Sequence, residues 1–167
     1  MKKRNFPVGD VTLLDTDRLF HYLPRRLTAM ATANSEFEIT KTEDEWHKVL
    51  TPEQFHVLRK HGTERAGTSP LDKTYDSGTY VCAGCDLPLF KSDTKFNSGT
   101  GWPSFYTPIA DAIETSTDKS LLMTRVEVHC RRCGGHLGHV FNDGPRPTGQ
   151  RFCMNGVALK FRPDDPN

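Results

Sequence analysis

Cys130-Arg131-Arg132-Cys133-Gly134-Gly135-His136-Leu137-Gly138-His139 is the stretch on which the fold turns. Its Cys-x-x-Cys spacing repeats that of Tyr80-Val81-Cys82-Ala83-Gly84-Cys85, with 44 residues between the two pairs. Two intervening residues let both sulfurs of a pair reach one ion from a tight turn. Glycine in or after the turn admits positive φ and lets backbone N–H groups face the thiolates. Four thiolates fill a tetrahedral shell and leave no open position, so a shared ion, Zn²⁺ first among candidates, is structural. The gap exceeds that of a local zinc ribbon, so a sheet must bring the pairs together. The alternatives are a thioredoxin-like redox pair, against which the missing βαβ context counts, and bound iron.

Around these pairs the pattern is β from Tyr75 onward. Gly78 precedes Tyr80-Val81, Ser98-Gly99-Thr100-Gly101 precedes Trp102, and Asn142-Asp143-Gly144-Pro145 follows Val140-Phe141. Leu121 to His129 alternates in part, and Gln150 to Phe161 reads as one further strand. Upstream lie two short helices. Thr42 and Glu45 have capping-box spacing, with Trp46, Val49 and Leu50 on one face. Thr51, Pro52 and Gln54 start the second, Phe55 and Leu58 form its apolar stripe, and Gly62 ends it. The expected architecture is mainly β: an antiparallel sheet with the two helices packed outside it. Residues 1–35 show weak periodicity and are expected to form a loosely attached N-terminal extension, with one domain over 36–167.

With four cysteines assigned to metal, Cys153 is the one thiol left for chemistry. On a strand, Arg151, Cys153 and Asn155 share a face. A guanidinium and an amide beside a thiol lower its pKa. An inert buried cysteine is the competing reading, because Val157, Leu159 and Phe161 continue that face. His136 and His139 offer an acid close by, or extra metal ligands, or core groups. Asp143 either orients one of them or caps its turn. Trp102, held between Gly101 and Pro103, is a pocket wall or a core plug.

Composition narrows the classes. The chain has 167 residues, 26% charged and 35% hydrophobic, with formal net charge +1. Bulk charge gives no reason to expect a polyanion partner, so nucleic acid is not expected. No stretch approaches the roughly 20 apolar residues of a membrane helix. Met1-Lys2-Lys3-Arg4 is basic, but no apolar run follows, which argues against a secretory signal. An odd cysteine count with Cys-x-x-Cys pairs fits a reducing compartment, so a cytoplasmic location is expected. The alternative is an organelle, with residues 1–33 as a transit peptide; Asp10, Asp15 and Asp17 count against it.

Taken together, these residues resemble the methionine-R-sulfoxide reductases of the B type. The likeness rests on Tyr80-Val81-Cys82-Ala83-Gly84-Cys85, Phe96-Asn97-Ser98-Gly99-Thr100-Gly101-Trp102-Pro103-Ser104-Phe105, the second Cys-x-x-Cys with Gly135 to Pro145, and Arg151-Phe152-Cys153-Met154-Asn155-Gly156. It covers roughly residues 40–163 and leaves out the first 35. The resemblance implies a β-tent of two antiparallel sheets with short N-terminal helices, and one structural Zn²⁺ on Cys82, Cys85, Cys130 and Cys133. It implies that Cys153 attacks the sulfur of methionine-R-sulfoxide in proteins or peptides and becomes a sulfenic acid. His139 is then the acid that protonates the oxygen. His136, Asp143, Arg151 and Asn155 position water, substrate and thiolate, and Trp102 and Phe105 contact the substrate. Many members carry a resolving cysteine where this chain has Thr100. The reductant is then thioredoxin, or glutathione with glutaredoxin, meeting Cys153 directly. A monomer is expected. Two rivals come from other classes: a zinc-ribbon binding module using Arg131, Arg132 and Trp102, and a thiol peroxidase using Cys153.

Overall fold

Two reciprocal caps open the two helices. Thr42 Oγ1 accepts from the Glu45 N–H at 3.3 Å, and Glu45 Oε2 accepts from the Thr42 N–H at 2.8 Å, starting helix α1 (Glu43–Val49). Thr51 and Gln54 repeat the arrangement at the start of α2 (Pro52–Lys60), with Pro52 in the first turn where no N–H is needed. The computed structural model describes residues 37–119 and 124–165. The expected extension and Leu121–Met123 of the expected strand lie outside the described residues.

Trp46, Leu50, Phe55, Val57 and Leu58 are buried, whereas Val49 is 57% exposed and does not join the expected face. Helix α1 is seven residues long and stops at Val49, so two turns do not set the phase of its last residue. At the end of α2 it is His61, not Gly62, that takes the left-handed conformation, with φ 55°. Gly62 still closes the turn through its N–H to the His56 carbonyl at 3.0 Å.

Among the described residues nine strands follow: β1 (Gly78–Cys82), β2 (Pro88–Lys91), β3 (Lys95–Phe96), β4 (Ser104–Phe105), β5 (Ile113–Asp118), β6 (Arg125–Cys130), β7 (His136–Phe141), β8 (Arg151–Met154) and β9 (Leu159–Pro163). They form two antiparallel sheets, ordered β2-β1-β9 and β3-β4-β8-β7-β6-β5. The mainly β, two-sheet fold with short helices is thus the one expected. The core joins aromatic side chains from both sheets. Phe90 of β2 stacks on Phe105 of β4 at 4.3 Å, and Tyr80 of β1 meets the same ring edge-on at 4.9 Å. Each such ring removed from water contributes roughly 1.5–3 kcal/mol. The Tyr80 hydroxyl donates to the Thr74 carbonyl at 2.7 Å, so its polar end is satisfied.

The expected single strand from Gln150 to Phe161 is two strands in different sheets. Strand β8 ends at Met154, a 3₁₀ turn spans Gly156–Ala158, and β9 begins at Leu159. The break has a cause distant in sequence. Glu64 accepts the Gly156 N–H and the Val157 N–H, at 2.9 Å for the latter. Those donors are therefore not available to a ladder, and the chain crosses to the other sheet. This crossing takes the chain from Cys153 on β8 in one sheet to β9 in the other.

Candidate active site and metal centre

Strand pairing assembles the cysteine cluster. Strand β1 ends at Cys82 and β6 ends at Cys130, and a tight turn follows each. In the first turn the Asp86 N–H donates to the Cys82 carbonyl at 2.9 Å; in the second the Gly134 N–H donates to the Cys130 carbonyl at 2.8 Å. Gly134 has φ 66°, the conformation that favours glycine, and a β-carbon there would strike the Phe37 ring at 2.4 Å. In the first knuckle Asp86, at φ 58°, takes that role instead of Gly84. The four sulfurs lie within 4.8 Å of one another, with Cys82 and Cys133 at 3.7 Å and Cys85 and Cys130 at 3.5 Å. They can hold a metal ion. Hydrogen bonds to the Cys130 sulfur, from Cys133 first, hold that thiol far below its ordinary pKa, and the Cys82 and Cys133 thiols are pushed up in return. Trp46 and Leu58 pack over Gly84, and Arg59 donates to the Cys133 carbonyl at 2.9 Å, so the helices cover this cluster.

Cys153 stands opposite His139 in the β7–β8 pairing and opposite Ser104 in the β4–β8 pairing. A β-carbon on Gly138 would meet the Cys153 carbonyl at 2.1 Å, so the absence of a side chain there lets β7 approach β8 this closely. A cavity of about 120 Å³ opens at this point, lined by Trp102, Phe141, His139, Cys153, Asn155 and Arg125, with Thr63 and Gly138 completing it. An indole and a phenyl ring facing a thiol suit a methyl–sulfur group.

The surroundings of Cys153 correct one expectation. Burial pushes its thiol above the ordinary value. The Thr100 hydroxyl, with Sγ at 3.9 Å, the Arg151 charge and the Ser104 hydroxyl act the other way without overcoming burial. Ser98 links the two hydroxyls, at 2.8 Å from each. Alkylation of Cys153 by iodoacetamide is therefore expected to rise with pH to a midpoint above that of a free thiol in solution. Arg151→Met should move the midpoint higher still, because it removes a positive charge that favours the thiolate. A midpoint below that of the free thiol would contradict the assigned balance.

The remaining expected residues divide into those at the cavity and those elsewhere. Asn155 is locked: its side chain accepts the Glu64 N–H at 3.0 Å and donates to the Leu137 carbonyl at 3.1 Å. The Trp102 indole N–H donates to the Glu64 carbonyl at 3.2 Å. Arg151 forms a two-pronged pair with Asp143 at 2.8 and 2.9 Å, and its guanidinium lies 4.4 Å from the centre of the Phe141 ring. That pairing holds the Asp143 carboxyl below the usual carboxylate range. Asp143 thus orients Arg151, whereas the histidines take other carboxylates. His139 Nε2 is 2.9 Å from Asp118 Oδ2, and His136 Nδ1 is 2.7 Å from Glu127 Oε1. His136 is only 2% exposed, and burial lowers its pKa despite Glu127. Phe105 is outside the cavity; it is a fully buried core ring.

Sequence reasoning missed Glu64, Asp118, Arg125 and Glu127. Period-two alternation along β6 places Arg125 and Glu127 on one face, which was a usable signal for those two. Nothing local marks Glu64 or Asp118: Glu64 meets Asn155 from 91 positions away, and Asp118 meets His139 from 21 positions away.

These features define a β protein that pairs a metal-binding four-cysteine cluster with a separate half-buried thiol in an aromatic-walled cavity. The SelR domain family model matches residues 50–163. A peptide methionine sulfoxide reductase MsrB of Leptospira interrogans is 56% identical over 127 residues, 75% of this chain and 97% of that protein. An MsrB of Methanosarcina barkeri is 56% identical over 76% of this chain and 90% of its own length. The peptide methionine sulfoxide reductase B1, chloroplastic, of Arabidopsis thaliana is 55% identical over 72% of this chain and 60% of its own length. The chain belongs to the SelR domain family, that of the MsrB methionine sulfoxide reductases. Among the described residues no helix is long and apolar enough to cross a membrane.

Proposed function

We propose that this protein reduces the R epimer of methionine sulfoxide in proteins and peptides, with Cys153 as nucleophile. The observation that carries the reading is the placement of Cys153, His139 and Trp102 around one cavity of about 120 Å³, room for a sulfoxide-bearing side-chain end. Trp102 and Phe141 receive the ε-methyl. His139 gives a proton to the sulfoxide oxygen, which makes the sulfur electrophilic. Asp118 Oδ2, 2.9 Å from His139 Nε2, orients the ring. Cys153 attacks that sulfur, the oxygen passes to Cys153 as a sulfenic acid, and methionine leaves as the thioether. In sum, thiol plus sulfoxide gives sulfenic acid plus thioether. Arg151, steadied by Asp143, favours the thiolate as it forms, and Asn155 and His136 hold the strand ends around it.

Regeneration needs two external thiols. The first converts the sulfenic acid to a mixed disulfide and releases water; the second frees Cys153. Thioredoxin, or glutathione with glutaredoxin, supplies them, because Thr100 offers a hydroxyl and not a thiol 3.9 Å from Cys153. The ion on Cys82, Cys85, Cys130 and Cys133 is Zn²⁺ in a structural role. A zinc–sulfur bond of about 2.3 Å gives a tetrahedral edge of about 3.8 Å, which the 3.5 and 3.7 Å sulfur pairs nearly meet. Free thiols beside a metal-bound set favour a reducing compartment, and we place the enzyme in the cytoplasm. The catalytic domain is assigned to residues 36–167.

A single-turnover experiment tests the chemistry. Enzyme mixed with one equivalent of an R-sulfoxide peptide, without reductant, should yield one equivalent of methionine peptide. The protein should gain one oxygen on Cys153, trappable by dimedone, with zinc retained. A loss of two hydrogens with zinc released would mean that a metal ligand resolves the intermediate, and would overturn the direct-thiol scheme.

A further inference from the structure

We infer a second metal site in this protein, an accessible divalent-cation site of the zinc class formed by His61, Glu127 and His136. The three residues come from the turn after α2, from β6 and from β7, and one donor atom of each lies within 4.8 Å of the other two. Both imidazoles aim Nδ1 at the same carboxylate oxygen. His61 Nδ1 is 2.8 Å and His136 Nδ1 is 2.7 Å from Glu127 Oε1. Two imidazole nitrogens and one carboxylate oxygen form the donor set of an open zinc site, with the fourth position left to solvent. Magnesium and calcium prefer oxygen ligands and fit this set poorly.

The geometry needs little change. Metal–ligand bonds of about 2.0–2.1 Å place neighbouring donors about 3.3 Å apart. The present separations must therefore widen by roughly half an ångström. His61, with its side chain 65% exposed, can provide that movement, and its outer face gives the ion an entry path. The cation takes the place of the protons that now bridge the nitrogens to the carboxylate.

A second, independent feature singles out His61. Its backbone is left-handed, φ 55°, an uncommon conformation for a residue with a side chain, although glycine is the next residue. That conformation ends α2 and leaves the His61 ring 5.4 Å from the His136 ring. The His136 ring is in turn 5.4 Å from the His139 ring, at the cavity of Cys153. A bound cation would tie the end of α2 to the β6–β7 hairpin and fix His136. On the functional reading above it would also slow turnover, but the binding itself does not depend on that reading.

The test is a zinc titration of the folded Cys153→Ser protein, already carrying its first equivalent on the four cysteines. The substitution removes the other thiol that could take up zinc. Competition with a chromophoric chelator should reveal a second equivalent of Zn²⁺ per chain, and its binding should raise the melting temperature. Adding His61→Asn should weaken that second equivalent at least tenfold and abolish the melting shift. Asparagine accepts the left-handed conformation, so the fold is retained. Failure to bind a second equivalent, or binding that His61→Asn leaves unchanged, would overturn the site and reduce the cluster to a hydrogen-bonded one. Neither outcome bears on whether wild-type enzyme consumes sulfoxide, so the two readings fail separately.

Discussion

Cys153→Ser is expected to lower sulfoxide reduction by at least about a thousand-fold, because a hydroxyl cannot replace the attacking sulfur or store the oxygen. Stability should change little, within about 1 kcal/mol, since the side chain is half-buried and the exchange is nearly isosteric. Zinc content should be the same as in wild type. The other four thiols are committed to one cluster, so none is placed to substitute. Substantial residual turnover, measured with dithiothreitol as reductant, would show that the nucleophile has been misassigned.

Cys130→Ser should act on folding before it acts on rate. The cluster joins the end of β1 in one sheet to the end of β6 in the other, across 44 residues of sequence between the pairs. Losing one thiolate leaves three sulfurs and a weakened ion, and a structural zinc contributes on the order of 10 kcal/mol to folding. A domain of this size has a total stability of about 5–15 kcal/mol. The variant should therefore bind less than one equivalent of zinc and melt far below wild type, or fail to fold. Full zinc occupancy with an unchanged melting temperature would contradict the structural role.

The parts legible in the sequence are those fixed by short-range chemistry. Thr42 with Glu45 and Thr51 with Gln54 form caps because their donors and acceptors lie three residues apart. The two Cys-x-x-Cys turns are equally local, and only their union needed the sheets. What escaped was decided at long range. Gln150 to Phe161 has the alternation of one strand, yet Glu64 captures the amides of Gly156 and Val157 from 92 and 93 positions away. Asp143 sat next to the histidines in sequence, but Arg151 is eight residues on and across the turn, and it takes both carboxylate oxygens. His139 and His136 instead draw Asp118 from β5 and Glu127 from β6 of the same sheet. Phe105 follows Trp102 by three residues, but it enters β4 and the inter-sheet core instead of the cavity. The pKa of Cys153 was misjudged for a related reason: the charged neighbour was visible in the sequence, and the depth of burial was not.

Separated epimers test the central claim most directly. Two samples of one peptide, carrying methionine-R-sulfoxide or methionine-S-sulfoxide, are incubated with the enzyme and dithiothreitol and followed by chromatography. The account predicts that the R peptide is converted to the methionine peptide and the S peptide is left intact. Consumption of the S peptide, or of neither, would contradict it.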